Sequence, residues 1–479
     1  MTRFCTFVMA WGGLWFACVP SLAARPHPII PETEAGRHGL TRAWFTQIDM
    51  DRARTRVAEM VLDRGTLFVQ TDRAALHAVD AETGQTLWSA EVGRRGHPSL
   101  APAANSDLVA VVNGSYLYLL DRHNGKLLWS TQLEGVPGSA AVLSQRRVYV
   151  PMHAGKVFSY VLERRRNPVE ASGATAEDDV AAAEPEAGPA EAIRLSHESI
   201  VPLACQSTGQ TLVQPIVIWE SPDREHIVWP TDRGHLNLGR YERLNDRFMV
   251  RYRLETQGPI VSRPVHRPSP SGEEGAGTVF AASLDGYVYA IRAGRGETLW
   301  RFALAEPVYE PLIVAGDRVY VVTQPGGLYC LDAADGTDRW WTYGVAQFVS
   351  ASKERVYVAD RRGHILVLAA ATGARLDTIS AADLPIKLRN AQNDRIYLAT
   401  GSGLVQCLRE TELSEPFEHT VAPVPPAEAS PTEEPSEEEP VPQPGKKQPP
   451  TAGSFETSTQ DAASEAQPPA SLQGDNPFQ

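Results

Sequence analysis

The sequence predicts an all-β chain: an eight-bladed β-propeller of four-stranded antiparallel blades, its ring closed by the N-terminal strand and followed by a disordered C-terminal tail. Three observations carry that expectation. An eleven-residue unit, AVDAETGQTLW at 78–88, returns as LLDRHNGKLLW at 119–129, AIRAGRGETLW at 290–300, CLDAADGTDRW at 330–340 and VLAAATGARLD at 367–377. A hairpin of fixed form precedes these units, best seen in VYVVTQPGGLYCLD at 319–332, and its copies begin at Leu67, Leu108, Val148, Ile227, Val279, Val319, Val356 and Ile396. The intervals between copies are 41, 40, 79, 52, 40, 37 and 40 residues, the two long ones spanning polar insertions. A period of about 40 residues is the length of a propeller blade.

Each part of the unit has a physical reason. An apolar strand ends at Asp80, whose carboxylate can accept a hydrogen bond from the backbone two residues on; Gly84 then supplies the positive φ of a tight turn. The corresponding turn positions are Asp121 and Gly125, Gly296, Asp332 and Gly336, and Gly373. The strand after the turn carries Trp88, Trp129, Trp300 or Trp340, and the last copy lacks its Trp. These rings are expected to pack between neighbouring blades as structural residues, so truncation of one to Ala should cost about 3–5 kcal/mol. Inside the hairpins apolar residues alternate with period two, as half-buried antiparallel strands require. Gly155, Gly234, Gly286, Gly326, Gly363 and Gly403 mark the bends in six of the eight copies.

Taken in order, the chain is expected to begin with a secretory signal at 1–23: one Arg, an apolar run, then small residues with Ser21 and Ala23 placed for cleavage. Lipidation at Cys18 and an uncleaved anchor are the alternatives, although Trp15, Phe16 and Ala17 resemble no usual lipobox and the run is short for a bilayer span. The propeller is expected over 40–412. At its start, RAWFTQI at 42–48 matches the Trp-bearing outer strand TLWSAEV at 86–92, while the eighth unit ends near Thr411 without such a strand. The expectation is that the strand around Trp44 completes the last blade and removes an edge open to pairing. Unit three is interrupted by an Ala/Glu/Pro-rich insertion at 163–198, read as a disordered loop in which Arg164, Arg165 and Arg166 are a solvated run. Unit four lacks the Asp/Gly/Trp turn, and its closing strand is expected to end with Tyr252. The tail at 413–479, rich in Pro and Glu, is expected to be disordered; its Asn476-Pro477-Phe478 is read as incidental.

Charge and cysteines narrow the function. Of a net charge of −13, residues 415–479 carry twelve acidic against two basic groups and residues 164–198 carry eight against four. The propeller is therefore near neutral and has no nucleic-acid footprint. After the signal only Cys205, Cys330 and Cys407 remain; Cys330 and Cys407 fall two blades apart, too far to bridge. There is no adjacent cysteine pair, no His-Glu-x-x-His, no haem-attachment motif and no Gly-x-Ser-x-Gly elbow. Gly401-Ser402-Gly403 is a bend, and the sequon at Asn113-Gly114-Ser115 sits in a tight hairpin.

Ala78, Asp80, Thr83, Gly84 and Trp88 resemble the tryptophan-docking motif of the pyrroloquinoline-quinone-type propeller family, a likeness extending over roughly residues 40–412. Eight blades with an export signal resemble most the branch that contains the outer-membrane assembly factor BamB. That resemblance implies a non-catalytic propeller, without cofactor, in the periplasm or cell envelope and associated with the outer membrane through a partner or a lipid anchor. Its expected partners are envelope or outer-membrane proteins, met through loops or strand edges by a monomeric chain. The alternative is a quinone-dependent dehydrogenase or ligand-binding propeller, which needs calcium ligands and a carboxylate base.

Overall fold

A computed structural model describes residues 29–162 and 202–419. The expected signal segment, the whole insertion at 163–198 and residues 420–479 of the tail lie outside them. The described residues form eight four-stranded antiparallel sheets in which strands follow chain order outward from the axis, except in the last. Blade 1 runs through Val57–Asp63, Thr66–Thr71, Ala75–Asp80 and Thr86–Glu91. Blades 2 to 7 begin with innermost strands Ala103–Ala104, Val142–Leu143, Ile216–Glu220, Val265–Pro268, Ile313–Ala315 and Gln347–Ala351. All eight hairpin starts read from the sequence fall on the second strand of a blade.

Blade 8 is assembled from both ends of the chain. Ile386–Lys387, Ile396–Ala399 and Leu404–Glu410 supply three strands, and Leu40–Gln47 supplies the outermost. Its register runs antiparallel from Leu40 opposite Glu410 to Gln47 opposite Leu404, with a bulge between Arg42 and Trp44. The expected closure by the strand around Trp44 is what the fold shows. A short helix, Glu32–Arg37, leads into that strand, and Ile30, Ala35 and Leu40 are buried against blades 7 and 8.

The core is a ring rather than a ball. Eight clusters of buried apolar side chains each join one blade to the next; the cluster of Trp44, Val57, Leu67 and Val79 with Tyr397, Val405 and Cys407 seals blade 8 against blade 1. Closure thus buries one more face-to-face interface, and no blade is left with an open apolar face.

Two boundaries differ from the sequence expectation, and a third is placed where the sequence left it open. The outermost strand of blade 4 is Arg247–Glu255 and continues past Tyr252, because alternation of covered and exposed side chains persists to Glu255. Blade 3 receives its outermost strand, Leu203–Gln206, only after the insertion. The folded part also continues beyond 412: Glu418 bridges to Asn393, the Phe417 amide donates to Asp394 Oδ1 at 2.8 Å, and His419 is buried with Nε2 2.7 Å from the Ala351 carbonyl oxygen. These contacts depend on pairing with distant loops, which composition does not encode.

Candidate functional site

The repeated turn is the chemistry most specific to this chain. In blade 1, Asp80 Oδ1 accepts hydrogen bonds from the Thr83 amide at 2.8 Å and the Thr83 hydroxyl at 2.7 Å, and the Gly84 amide donates to the Asp80 carbonyl at 2.9 Å. Asp121 accepts from the His123 amide at 2.8 Å, and Asp332 from the Ala334 amide at 2.8 Å. Blades 5 and 7 keep the same backbone turn with Arg292 and Ala369 at the first position, closed by the amides of Gly296 and Gly373. The carboxylate reinforces the turn without being required for it.

Each turn receives an aromatic ring from the preceding blade. The indole N–H of Trp44 donates to the Ala81 carbonyl at 2.8 Å, Trp88 to Arg122 at 2.6 Å, Trp300 to Ala333 at 3.3 Å and Trp340 to Ala370 at 2.9 Å. The rings lie so close over the turns that a Cβ added to Gly84 would stand 2.5 Å from Trp44, and one added to Gly125, Gly336 or Gly373 would be 2.4 to 2.5 Å from Trp88, Trp300 or Trp340. Glycine is therefore needed twice, for a φ of +74° at Gly84 and for the ring that covers it. Trp129 is buried against Tyr160, ring centroids 6.0 Å apart, but faces blade 3, which has no such turn among the described residues.

Sequence reasoning missed three further seals. Tyr252 takes the tryptophan's place at the blade 4–5 junction: its hydroxyl donates to the Ala293 carbonyl at 2.7 Å, and a Cβ on Gly296 would stand 2.3 Å from its ring. A signal was present in the spacing from the paired strand, but the altered turn of blade 4 hid it. At the blade 7–8 junction Asp377, in the strand position that holds Trp elsewhere, is hydrogen-bonded to His38 Nδ1, and Arg355 donates to the His38 carbonyl at 3.2 Å. Between blades 8 and 1, fully buried Arg395 reaches Glu82 at 3.1 Å, Asp394 at 3.2 Å and the carbonyls of Leu413 and Ser414 at 3.2 and 2.7 Å.

The inner strands surround the axis, and at one mouth Arg64, Asn105, Leu143, Trp219, Glu220 and Pro268 line a cavity of about 420 Å³. Arg389 pairs with Glu310 at 2.6 Å between blades 8 and 6, and burial pushes the nearby Glu59 carboxyl up. Among the described residues no group of three or more His, Cys, Asp and Glu side chains is placed to hold a metal ion. Cys205, Cys330 and Cys407 are separate buried thiols, and burial pushes Cys205 to about 11 and Cys330 to about 12. The cavity's own carboxylates, Glu220 and Glu273, come from blades 4 and 5, and Glu220 already accepts the Gln145 amide at 2.9 Å. These residues do not fit a calcium-bound quinone.

The sequence profile described as "Outer membrane protein assembly factor BamB" matches residues 39–186 and 277–412, more than half of the chain. The chain belongs to that family. Among solved structures, BamB from Moraxella catarrhalis is similar with a TM-score of 0.54 at 12% identity, over 78% of this chain and 98% of that one. The computationally designed Ika8 protein is similar at 0.51 and 12%, over 75% and 98%, and Saccharomyces cerevisiae Sqt1 at 0.54 and 11%, over 76% and 97%. At such identities the likeness is one of fold, and a designed and a yeast propeller share it with BamB. No curated protein matches the chain. Among the described residues no helix is long and apolar enough to cross a membrane, which says nothing of β-barrels.

Proposed function

We propose that this BamB-family propeller is an exported, non-catalytic interaction scaffold of the bacterial envelope that holds proteins during outer-membrane assembly. The observation that supports the reading is the family match joined to the use of the repeated motif. Each Gly of the repeated turn lies beneath a ring of the preceding blade and each Asp holds its own turn, which leaves loops and strand edges as the surfaces that differ between blades. The apolar run at 1–23 supports export.

The test is crosslinking in living cells of the full chain, followed by identification of captured proteins. Enrichment of outer-membrane assembly components over an unrelated exported propeller supports the reading; their absence refutes it. Incubation of the purified protein with pyrroloquinoline quinone and calcium tests the enzymatic alternative. A new visible absorbance band together with dye reduction by simple alcohols would overturn the non-catalytic assignment.

A further inference from the structure

Blade 5 joins its first two strands by eight residues, 269–276, where six of the blades use two or three. Blade 8 has the other long connection, 388–395, and uses it for the Arg395 seal. The blade 5 stretch, SPSGEEGA, is made of turn formers, and its end is anchored: the Gly294 amide donates to the Gly275 carbonyl at 2.8 Å, on the same turn that receives Tyr252. Gly272 and Gly275, with φ of +65° and +73°, bracket Glu273 and Glu274, so these two ride on an arm hinged at both ends by glycine.

The arm lays Glu274 on the face that blade 4 turns toward blade 5. There the register sets Trp219 opposite His226 and His226 opposite Arg240, with Arg224 two residues before His226 and Arg251 on the outermost strand. Arg224 Nη1 donates to Glu274 Oε2 at 3.0 Å; Arg251 Nη1 stands 3.9 Å from Oε1. His226 is fully buried, and its Nε2 stands 3.3 Å from Oε1 but out of hydrogen-bond alignment, so neither ring nitrogen has a hydrogen-bond partner among the described residues. Burial pushes that imidazole down to about 4; Glu274 pulls it up, while Arg251, Arg240 and Arg224 push it down. With His226 neutral, the row holds three guanidinium groups against two carboxylates, Glu274 and the Glu242 that pairs with Arg240. The neighbouring acids Glu220 and Glu225 are engaged by blade 3, through the Gln145 amide at 2.9 Å and the Tyr149 hydroxyl at 2.5 Å. Without Glu274, two of the three positive charges would stand unopposed.

We propose that this row is a receptor for the carboxylates of an acidic segment of another polypeptide, and that Glu274 fills it in the isolated chain as an internal competitor. The resident group shows the chemistry, since guanidinium forks match carboxylate geometry. The seal does not require it: Tyr252 already closes this junction, and an ion pair whose Arg224 is 48% exposed contributes little to stability. Glu274 serves Arg224 closely and Arg251 poorly, at 3.0 and 3.9 Å, whereas a chain with adjacent carboxylates can serve both. Arg251 is 41% exposed, so an incoming chain reaches both arginines from solvent while buried His226 closes the other side. The glycine-hinged arm can then leave without disturbing a strand, and while it stays it lowers the apparent affinity by the fraction of time it occupies the row.

This rests on the scaffold reading and names one class of partner for it. The full chain is titrated calorimetrically at low salt with pentaglutamate, pentalysine and inorganic phosphate. Saturable binding of pentaglutamate is expected, with pentalysine silent. Glu274→Ala and Glu274→Gln should each tighten it about tenfold by removing the competitor, and adding Arg224→Gln and Arg251→Gln to either should abolish that gain. Arg95→Gln, at an exposed arginine on blade 2, should leave it unchanged. Pentaglutamate binding that does not tighten in either Glu274 variant, or that survives loss of both arginines, overturns the inference. So does phosphate binding with the same residue dependence and no binding of the peptide. A chain that captures assembly components in cells yet binds pentaglutamate in none of these variants overturns this inference alone.

Discussion

Gly84→Ala and Gly65→Ala form a matched pair that isolates the docking contact. The two glycines have nearly the same backbone, φ +74° and +75°, so a side chain is strained alike at both, by about 1–2 kcal/mol. They differ in surroundings: a Cβ at Gly65 meets nothing within 4 Å, whereas one at Gly84 lies 2.5 Å from two atoms of the Trp44 ring. Trp44 cannot move freely, since it is 7% exposed and its N–H is bound to Ala81. Forcing it aside adds an overpacking penalty of about 1–3 kcal/mol. Gly84→Ala should therefore destabilise by about 2–5 kcal/mol in total and exceed Gly65→Ala by the overpacking part. Urea denaturation followed by far-UV circular dichroism measures both. In a Trp44→Ala background the excess should vanish, leaving the two alanines equal. Equal losses in the natural background, or an excess that survives removal of Trp44, would refute the claim that the turn glycine serves the ring.

Four other outcomes follow from the seals. Arg395→Met leaves Glu82, buried Asp394 and two carbonyls without their donor, and should lower stability by about 3–5 kcal/mol in the same titration. The His38 hydrogen bond holds the Asp377 carboxyl below its ordinary range. Its contribution is thus full above the unfolded carboxylate value and is lost as pH falls through the lower folded one, so Asp377→Asn should flatten the acid limb of the Tm-against-pH curve. Tyr252→Phe removes only the bond to the Ala293 carbonyl, for about 1 kcal/mol, while Tyr252→Ala also empties the ring site and should cost several times more by denaturant midpoint. A chain ending at Thr411 should melt below one ending at His419, because the shorter chain strips Arg395 and Asp394 of their partners in 413–417; equal calorimetric transitions would deny those contacts any weight.

What was legible in the sequence is what repeats. The hairpins could be placed because each blade states its own two-residue alternation and its own turn, and the closing strand could be placed because RAWFTQI resembles TLWSAEV. Tyr252 was hidden because its ring does a tryptophan's work from a strand whose preceding turn has changed. Arg395, His38 and Asp377 were hidden for another reason: their partners lie 313 and 339 residues away, so nothing local distinguishes them from surface charges until the ring closes. The reach of the chain to His419 belongs with these, since Phe417 is fixed by the loop before Ile396 and His419 by the end of the Gln347–Ala351 strand of blade 7.

The unevenness of the seals bears on function. Five junctions among the described residues dock a ring into a glycine turn: 8–1, 1–2, 4–5, 5–6 and 6–7. A ring whose blades were joined identically would have no reason to present one rim differently from another. Here the 7–8 junction substitutes a His38–Asp377 hydrogen bond, the 2–3 junction shows no such turn among the described residues, and the 5–6 junction keeps the motif while exposing part of its tryptophan. Loosening at 5–6 coincides with four aromatic rings at the rim, two of them about half or more exposed. Aromatic area of that size left in water is unfavourable for the isolated chain and is recovered when a partner covers it.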